Sequence, residues 1–327
     1  MSSDTPTSLE LSSDEGIARF QIPNPYFEGQ NNVYFIEGRE PVLIDTGIGT
    51  AAALAELEGM LGRRGHAFRD IRHIFLTHKH VDHFGLACAI WERSGARVYV
   101  HEADHEEVTH FEERHAEVTE RYRAFMVECG VPSETIVSLT SLSAAFGTLG
   151  RSVPAEPLHD GQRVALGNSE LTVMHTPGHT RGSACFQYKK ILFSGDHLLP
   201  DYTSNVGATD MNAAEPLRQY LSSLRKIRGL NDIEMMLPGH GEPMIDFQER
   251  IAAIEVHHRE RSQKVWEILA DDKPQSVYEI ALRLFGSLRD HHVLLGCGEV
   301  YAHLATLISE GRVRQVGTGP GRYVREC

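Results

Sequence analysis

The chain has 327 residues, 41% hydrophobic and 24% charged, enough to bury a substantial core and to build two domains. A net charge of -13 excludes a broad phosphate-binding surface, which needs clustered Lys and Arg, and five cysteines without a C-x-x-C spacing exclude a disulfide framework or a thiolate metal site. Residues 1–16 are rich in Ser, Asp and Glu without a leader pattern, and no apolar run has the length of a bilayer span, so a soluble, cytoplasmic protein without a membrane partner is expected.

Taken in order, Ile17–Ile22, Asn32–Glu37 and Val42–Ile44 alternate as three strands, the last delivering Asp45 to a Gly-rich turn. Ala51–Leu61 carries helical spacing through Leu54, Leu57 and Leu61. The apolar run 71–76 is a buried strand, 84–94 a helix and 96–100 the next strand, a rhythm that implies sheets covered by helices. From Glu102 to about Val153 the texture becomes long amphipathic helix, with Val108, Phe111, His115, Val118, Tyr122 and Phe125 on one stripe and Ile136, Leu139, Leu142 and Phe146 on a second. Such a helical insertion suits a lid or a dimer face. Strands resume at 162–166, 171–175, 184–188 and 191–193, followed by an irregular loop over 198–205, a helix over about 216–227 and a strand over 233–237. Beyond Arg250 a long helix, a helix near 276–285, a third helix over 298–309 and two short strands around 317–321 resemble a winged helix. Its third helix lacks a basic face, so packing or dimerisation is the expected role rather than DNA reading.

Chemistry concentrates where the 71–76 strand ends. His78, His80, Asp82 and His83 place three imidazoles and a carboxylate within six positions, the ligand set that zinc, manganese or iron(II) accept. A turn can point His78 and His80 to one side and Asp82 and His83 to the other, feeding two metals. His179 and Asp196 each follow a strand and a glycine, placing both on tight turns at strand ends. By contrast His105, His110 and His115 lie on helices among Glu and Arg, where solvated or packed histidines are the expectation, and His175 alternates with Val173 as a supporting residue. Asp45 can cap the helix that follows. His197, Tyr202 and Asn205, just after Asp196, are placed to touch a substrate.

The motif His-x-His-x-Asp-His at 78–83 resembles that of the metallo-β-lactamase superfamily, and further motifs follow in the family's order. They are Asp45 in Leu43-Ile44-Asp45-Thr46-Gly47, His179 in Thr176-Pro177-Gly178-His179-Thr180, Asp196 in Phe193-Ser194-Gly195-Asp196-His197, and His240 in Leu237-Pro238-Gly239-His240-Gly241. The resemblance implies an α/β fold, the αββα sandwich of that superfamily. Residues 1–250 would form the metallohydrolase domain, with the insertion at about 102–153, and residues 251–327 a small winged-helix-like domain. It implies that His78, His80 and His179 hold one divalent ion, that Asp82, His83 and His240 hold a second, that Asp196 bridges them and that Asp45 supports the ligands. Two ions, zinc foremost with Mn2+ or Fe2+ as alternatives, lower the pKa of a shared water and supply a bridging hydroxide. Asp82 and Asp196 would be the catalytic carboxylates.

Departures from named branches narrow the substrate. Asp196 stands where the commonest β-lactamases carry Cys, His80 where flavodiiron proteins carry Glu, and Leu199 where acyl-homoserine lactonases carry Tyr. A glyoxalase II-like hydrolase of an acyl thioester or ester remains the leading expectation. The alternatives are an endoribonuclease or phosphodiesterase using the same two-metal site, and a non-catalytic binding protein on this fold. The expected partners are a small-molecule acyl substrate and a second copy of the chain, met through the insertion or the C-terminal domain, rather than nucleic acid.

Overall fold

A computed structural model describes residues 8–12, 16–25, 29–207, 215–270, 273–317 and 320–326. The first sheet contains β1 (Ser8–Ser12), β2 (Ile17–Pro23), β3 (Gln30–Ile36), β4 (Val42–Ile44), β5 (His73–Leu76), β6 (Arg97–His101) and β7 (Glu156–Leu158), paired in that order. The β1-to-β4 meander is antiparallel, and β4 to β7 are parallel because α1 (Ala51–Arg63), the helical pair α2 (Val81–Phe84) and α3 (Ala87–Ser94), and the segment after β6 cross back between them. The second sheet runs β12-β11-β10-β9-β8, built from β8 (Arg163–Leu166), β9 (Ser169–His175), β10 (Ala184–Tyr188), β11 (Ile191–Gly195) and β12 (Met235–Pro238). Strand β1 is absent from the sequence-based expectations: Ser8-Leu9-Glu10-Leu11-Ser12 is short and flanked by polar residues, so its alternation carries little hydrophobic signal.

Alternation along the strands sorts side chains into layers. Leu43, Ile74 and Leu76 point to a core shared with α1 and α3, while Val42, Ile44 and Phe75 point the other way. There they meet Val173, Phe186, Phe193 and Leu237 of the second sheet. The outer face of that sheet, through Cys185, Leu192 and Met236, packs on α7 (Pro216–Arg228) and the first half of α8 (Phe247–Ile268). The result is the expected helix-sheet-sheet-helix sandwich.

The insertion consists of α4 (Glu102–Thr109), α5 (Phe111–Glu128) and α6 (Ser133–Phe146). After α8 come β13 (Gln275–Ser276), α9 (Val277–Phe285), α10 (His292–Ser309), β14 (Val313–Val316) and β15 (Arg322–Arg325), with sheet order β13-β15-β14. The third helix thus begins before the expected Gly298, and the terminal strands lie at Val313–Val316 and Arg322–Arg325 rather than within 317–321. The expected boundary at 250/251 falls inside α8, whose Ile251 and Ile254 pack on the second sheet while Val265 joins another core. That other core unites Phe125, Met126, Ile136 and Leu139 of the insertion with Ile280, Val300 and Leu304 of α9 and α10. Insertion and C-terminal helices therefore stabilise one another and form one helical wall beside the strand ends.

Among the described residues, no helix is long and apolar enough to cross a membrane.

Candidate metal centre

Strand β5 ends at Leu76, and the next residues turn toward the edge where the two sheets meet. Thr77 is fixed there by Asp45, which accepts from the Thr77 backbone N–H at 2.7 Å and from its hydroxyl at 2.8 Å. Asp45 itself sits at φ +58°, a left-handed conformation that a non-glycine residue holds only when its surroundings over-determine it. Those surroundings are Thr77 and the His83 Nδ1–H, 2.9 Å from Asp45 Oδ2. The helix after this turn is capped instead by Thr50, whose side chain accepts from Ala53 N.

His78 Nε2 lies 2.9 Å from His80 Nδ1, and His179 Nε2 lies 3.0 Å from the same atom. His179 Nδ1 is 2.9 Å from the Asn205 carbonyl, an acceptor only, so Nδ1 carries the proton and Nε2 keeps its lone pair. Burial, reinforced by the neighbouring imidazoles, holds His78 well below its ordinary pKa, and burial with His179 pushes His80 down to about 3. Neutral imidazole nitrogens converging at hydrogen-bond distance suit a shared cation.

Beside them Asp82, His83 and His240 form a second cluster. His240 Nε2 lies 3.4 Å and His83 Nε2 3.7 Å from Asp82 Oδ2. His240 Nδ1 donates to the Gln30 carbonyl at 3.0 Å, again leaving Nε2 for the site. Asp196 stands between the clusters: Oδ1 is 3.3 Å from His83 Nε2, and Oδ2 is 3.7 Å from both His179 Nε2 and His240 Nε2. Burial opposes charge on His83, yet Asp196, Asp82 and Asp45 outweigh it and raise its pKa. Burial likewise opposes charge on Asp196, and the surrounding imidazoles, His83 foremost, hold its carboxyl low. His83 Nε2 and Asp196 Oδ1 are buried without a hydrogen-bond partner, which fits atoms aimed at a cation. Each of the three clusters, His78/His80/His179, His78/His83/Asp196 and Asp82/His83/His240, has ligand atoms within 4.8 Å of one another.

Two glycines permit this crowding. Gly195 holds φ +49°, and a Cβ there would stand 2.5 Å from Thr77 Oγ1. A Cβ on Gly239 would stand 2.4 Å from Asp196 Oδ1 and 2.7 Å from His83 Cε1.

Several positioning residues escaped sequence reasoning. Asn31 donates to Asp82 Oδ2 at 3.1 Å, and Asp104, fully buried, accepts from Lys79 N, Thr180 Oγ1 and Gly182 N, tying the 78–83 and 179 loops together. Isolated polar residues beside apolar runs were their only signal. His105 donates to the Ala155 carbonyl and His115 to the Ser143 carbonyl, both away from the clusters. His175 stacks on His101 at 3.8 Å.

A cavity of about 700 Å³ opens onto His80, Asp82, His179, Asp196 and His240. Tyr202 and Asn205 line it, whereas His197, expected beside them, does not: it is buried against Tyr220, with burial pushing its pKa down to about 3. The helical wall contributes Phe111, Val118, Tyr122 and Phe146 from the insertion and Phe285, Leu288, Leu294 and Leu295 from the C-terminal helices. The cations on this surface are engaged: Lys79 pairs with Glu107, Arg114 with Glu117 at 2.7 Å, Arg261 with Glu299 at 3.3 Å, and Arg250 donates to the Leu199 carbonyl.

A sequence model of the metallo-beta-lactamase superfamily matches residues 26–240. YqjP of Bacillus subtilis (strain 168), described as a probable metallo-hydrolase, is 25% identical over 317 residues, covering 95% of this chain and 98% of that protein. The Homo sapiens protein MBLAC2, described as an acyl-coenzyme A thioesterase, is 31% identical over 236 residues, covering 68% of this chain and 77% of that protein. The crystal structure of the metallo-beta-lactamase family protein TTHA1429 from Thermus thermophilus superposes with a TM-score of 0.83 at 31% identity, covering 95% of this chain and 99% of that one. With a family match that runs from β3 through His240, the chain belongs to the metallo-beta-lactamase superfamily of hydrolases.

Proposed function

We propose that the protein is a binuclear metal-dependent thioesterase, acting on an acyl thioester in which the acyl chain lies along the helical wall. His78, His80 and His179 would hold one ion, Asp82, His83 and His240 the other, with Asp196 reaching both and Asp45 fixing His83. Zinc is the favoured metal, since imidazole nitrogens outnumber carboxylates in the set. When bound, the ions supply Lewis acidity toward the thioester carbonyl and lower the pKa of a water.

The chain's own residues do the rest. The apolar wall excludes bulk water and aligns the acyl group. Asp82, held by Asn31, lines the cavity with its carboxylate toward the centre and orients the attacking water as a hydrogen-bond acceptor. Water oxygen bonds to the carbonyl carbon, the C–S bond breaks, and the water's proton goes to the departing sulfur, giving a carboxylic acid and a thiol. Tyr202 and Asn205 are substrate contacts in this reading.

The single observation that carries the proposal is the apolar wall opening directly onto the clustered ligands. The thioesterase activity in MBLAC2's description and the pairing of the cavity's cations support an acyl substrate over a polyanion. The order helix, strand, helix, helix, strand, strand after residue 247 supports a winged-helix-like C-terminal unit in a packing role. A panel of acyl-CoA and acyl-glutathione thioesters, assayed for thiol release by zinc-loaded protein, tests the reading. Turnover that depends on acyl length and disappears in Asp196→Ala is expected. Absence of release from every thioester with both ions bound would overturn it.

A further inference from the structure

Within the helical wall, reaching the same cavity through Glu299, lies another group of ligand-type side chains. His258 comes from α8, and Glu299 and His303, four residues apart, from one face of α10. All three are buried, with His258 and His303 each 1% exposed. Around Glu299 Oε1 stand His303 Nε2 at 3.5 Å and His258 Nδ1 at 4.0 Å, and one ligand atom from each residue falls within 4.8 Å of the others.

Neither ring nitrogen of His258 has a hydrogen-bond partner, nor does His303 Nε2. Burying an imidazole this deeply with its polar atoms unsatisfied is unfavourable, so such an arrangement calls for an explanation. Ser262 Oγ is 2.7 Å from His303 Nδ1; in the tautomer in which Ser262 accepts from that N–H, the Nε2 lone pair is directed at Glu299 and free for a cation. Ligand atoms around a tetrahedral zinc with bonds of about 2.0–2.1 Å stand roughly 3.3 Å apart, so His303 Nε2 at 3.5 Å and His258 Nδ1 at 4.0 Å need to approach Glu299 Oε1 by less than about 1 Å.

We infer that His258, Glu299 and His303 form an additional divalent-cation site, selective for a borderline metal such as zinc, that clamps α8 to α10. Three protein ligands leave one coordination position, and Glu299 lines the cavity, which provides the entry path. The ion would couple the helix that packs on the second sheet to the helix that forms the wall. Arg261 stands at the site: its guanidinium is 3.3 Å from Glu299 Oε1 and rests over the Phe285 ring. With its side chain 23% exposed and lining the cavity, Arg261 can turn away when a dication takes its place. The inference stands independently of the thioesterase reading, because its ligands are distinct from those of the strand-end centre.

The test uses the full-length chain, with zinc content measured by plasma mass spectrometry and cobalt(II) absorption reporting the ligand set. Wild type is expected to hold one ion per chain more than Glu299→Gln or His303→Ala. A His80→Ala, Asp196→Ala double variant is expected to keep an ion that His303→Ala removes. Arg261→Met removes a competing positive charge and is expected to tighten cobalt binding by about tenfold. Glu299→Gln is nearly isosteric, and Arg261→Met deletes no ligand, so the answer does not hang on the larger His303→Ala truncation. Equal metal content in wild type, Glu299→Gln and His303→Ala would overturn the site. Unchanged cobalt affinity in Arg261→Met would show a metal-free ion-pair network and overturn it equally.

Discussion

The cavity's floor and its wall are built in opposite ways. The floor is a set of strand-end turns from both sheets, its side chains fixed by hydrogen bonds such as Asp45 to Thr77 and His83, and Asp104 to the 78–83 and 179 loops. The wall is made of helices from two distant stretches of chain, joined by an apolar core. The floor holds its ligand-type atoms in place by hydrogen bonds, whereas the wall supplies shape and polarity. Changes in the floor should therefore act on metal binding and turnover, and changes in the wall on substrate preference.

The largest effect is expected at the floor from one methyl group. Gly239→Ala drives a Cβ into Asp196 and His83, and hydrolysis should fall by at least about a hundredfold with circular dichroism unchanged. A folded variant with wild-type turnover would mean that the centre tolerates displacement of Asp196. Next, Asp45→Asn keeps the size of the side chain but loses the carboxylate that holds His83 Nδ1–H, and metal affinity should drop by about 10–100-fold in a chelator competition assay.

Wall substitutions should be milder and selective. Tyr122→Ala and Phe146→Ala remove apolar surface, so KM for long-chain thioesters should rise about threefold to tenfold while short-chain KM stays put. Equal losses for long and short chains would place the acyl group elsewhere. The smallest effect is on stability. Burial holds the His197 pKa at about 3 against an ordinary value of 6.5, so below about pH 6.5 the unfolded chain takes up a proton that the folded one refuses. Stability falls as pH drops from about 6.5 toward 3, and in metal-free protein His197→Phe should flatten that slope by about 1.4 kcal/mol per pH unit in denaturant titrations.

The same contrast explains what the sequence revealed. His78, His80, Asp82 and His83 sit within one turn, and the glycines before His179 and Asp196 mark the other strand ends, so the floor could be read locally. Asn31 and Asp104 could not, because a lone polar residue gains its role only when a remote loop folds against it. The α5 stripe was legible as amphipathic, yet its division of labour was not: Phe111 joins the sheet core, Val118 and Tyr122 face the cavity, and Phe125 packs on the C-terminal helices. His197 misled because adjacency to Asp196 in sequence placed it near the cavity, while the turn after β11 directs it behind, against Tyr220. The third helix, expected from Gly298, begins at His292. Gly296 lies inside the helix, where a Cβ would meet Leu288 at 2.8 Å.

The central claim is that two ions share the floor through Asp196, and anomalous diffraction from zinc-loaded crystals tests it most directly. The account predicts one peak among His78, His80 and His179 and a second among Asp82, His83 and His240, with Asp196 contacting both. At saturating zinc, a single peak on the floor, or a pair of peaks without Asp196 between them, would contradict it.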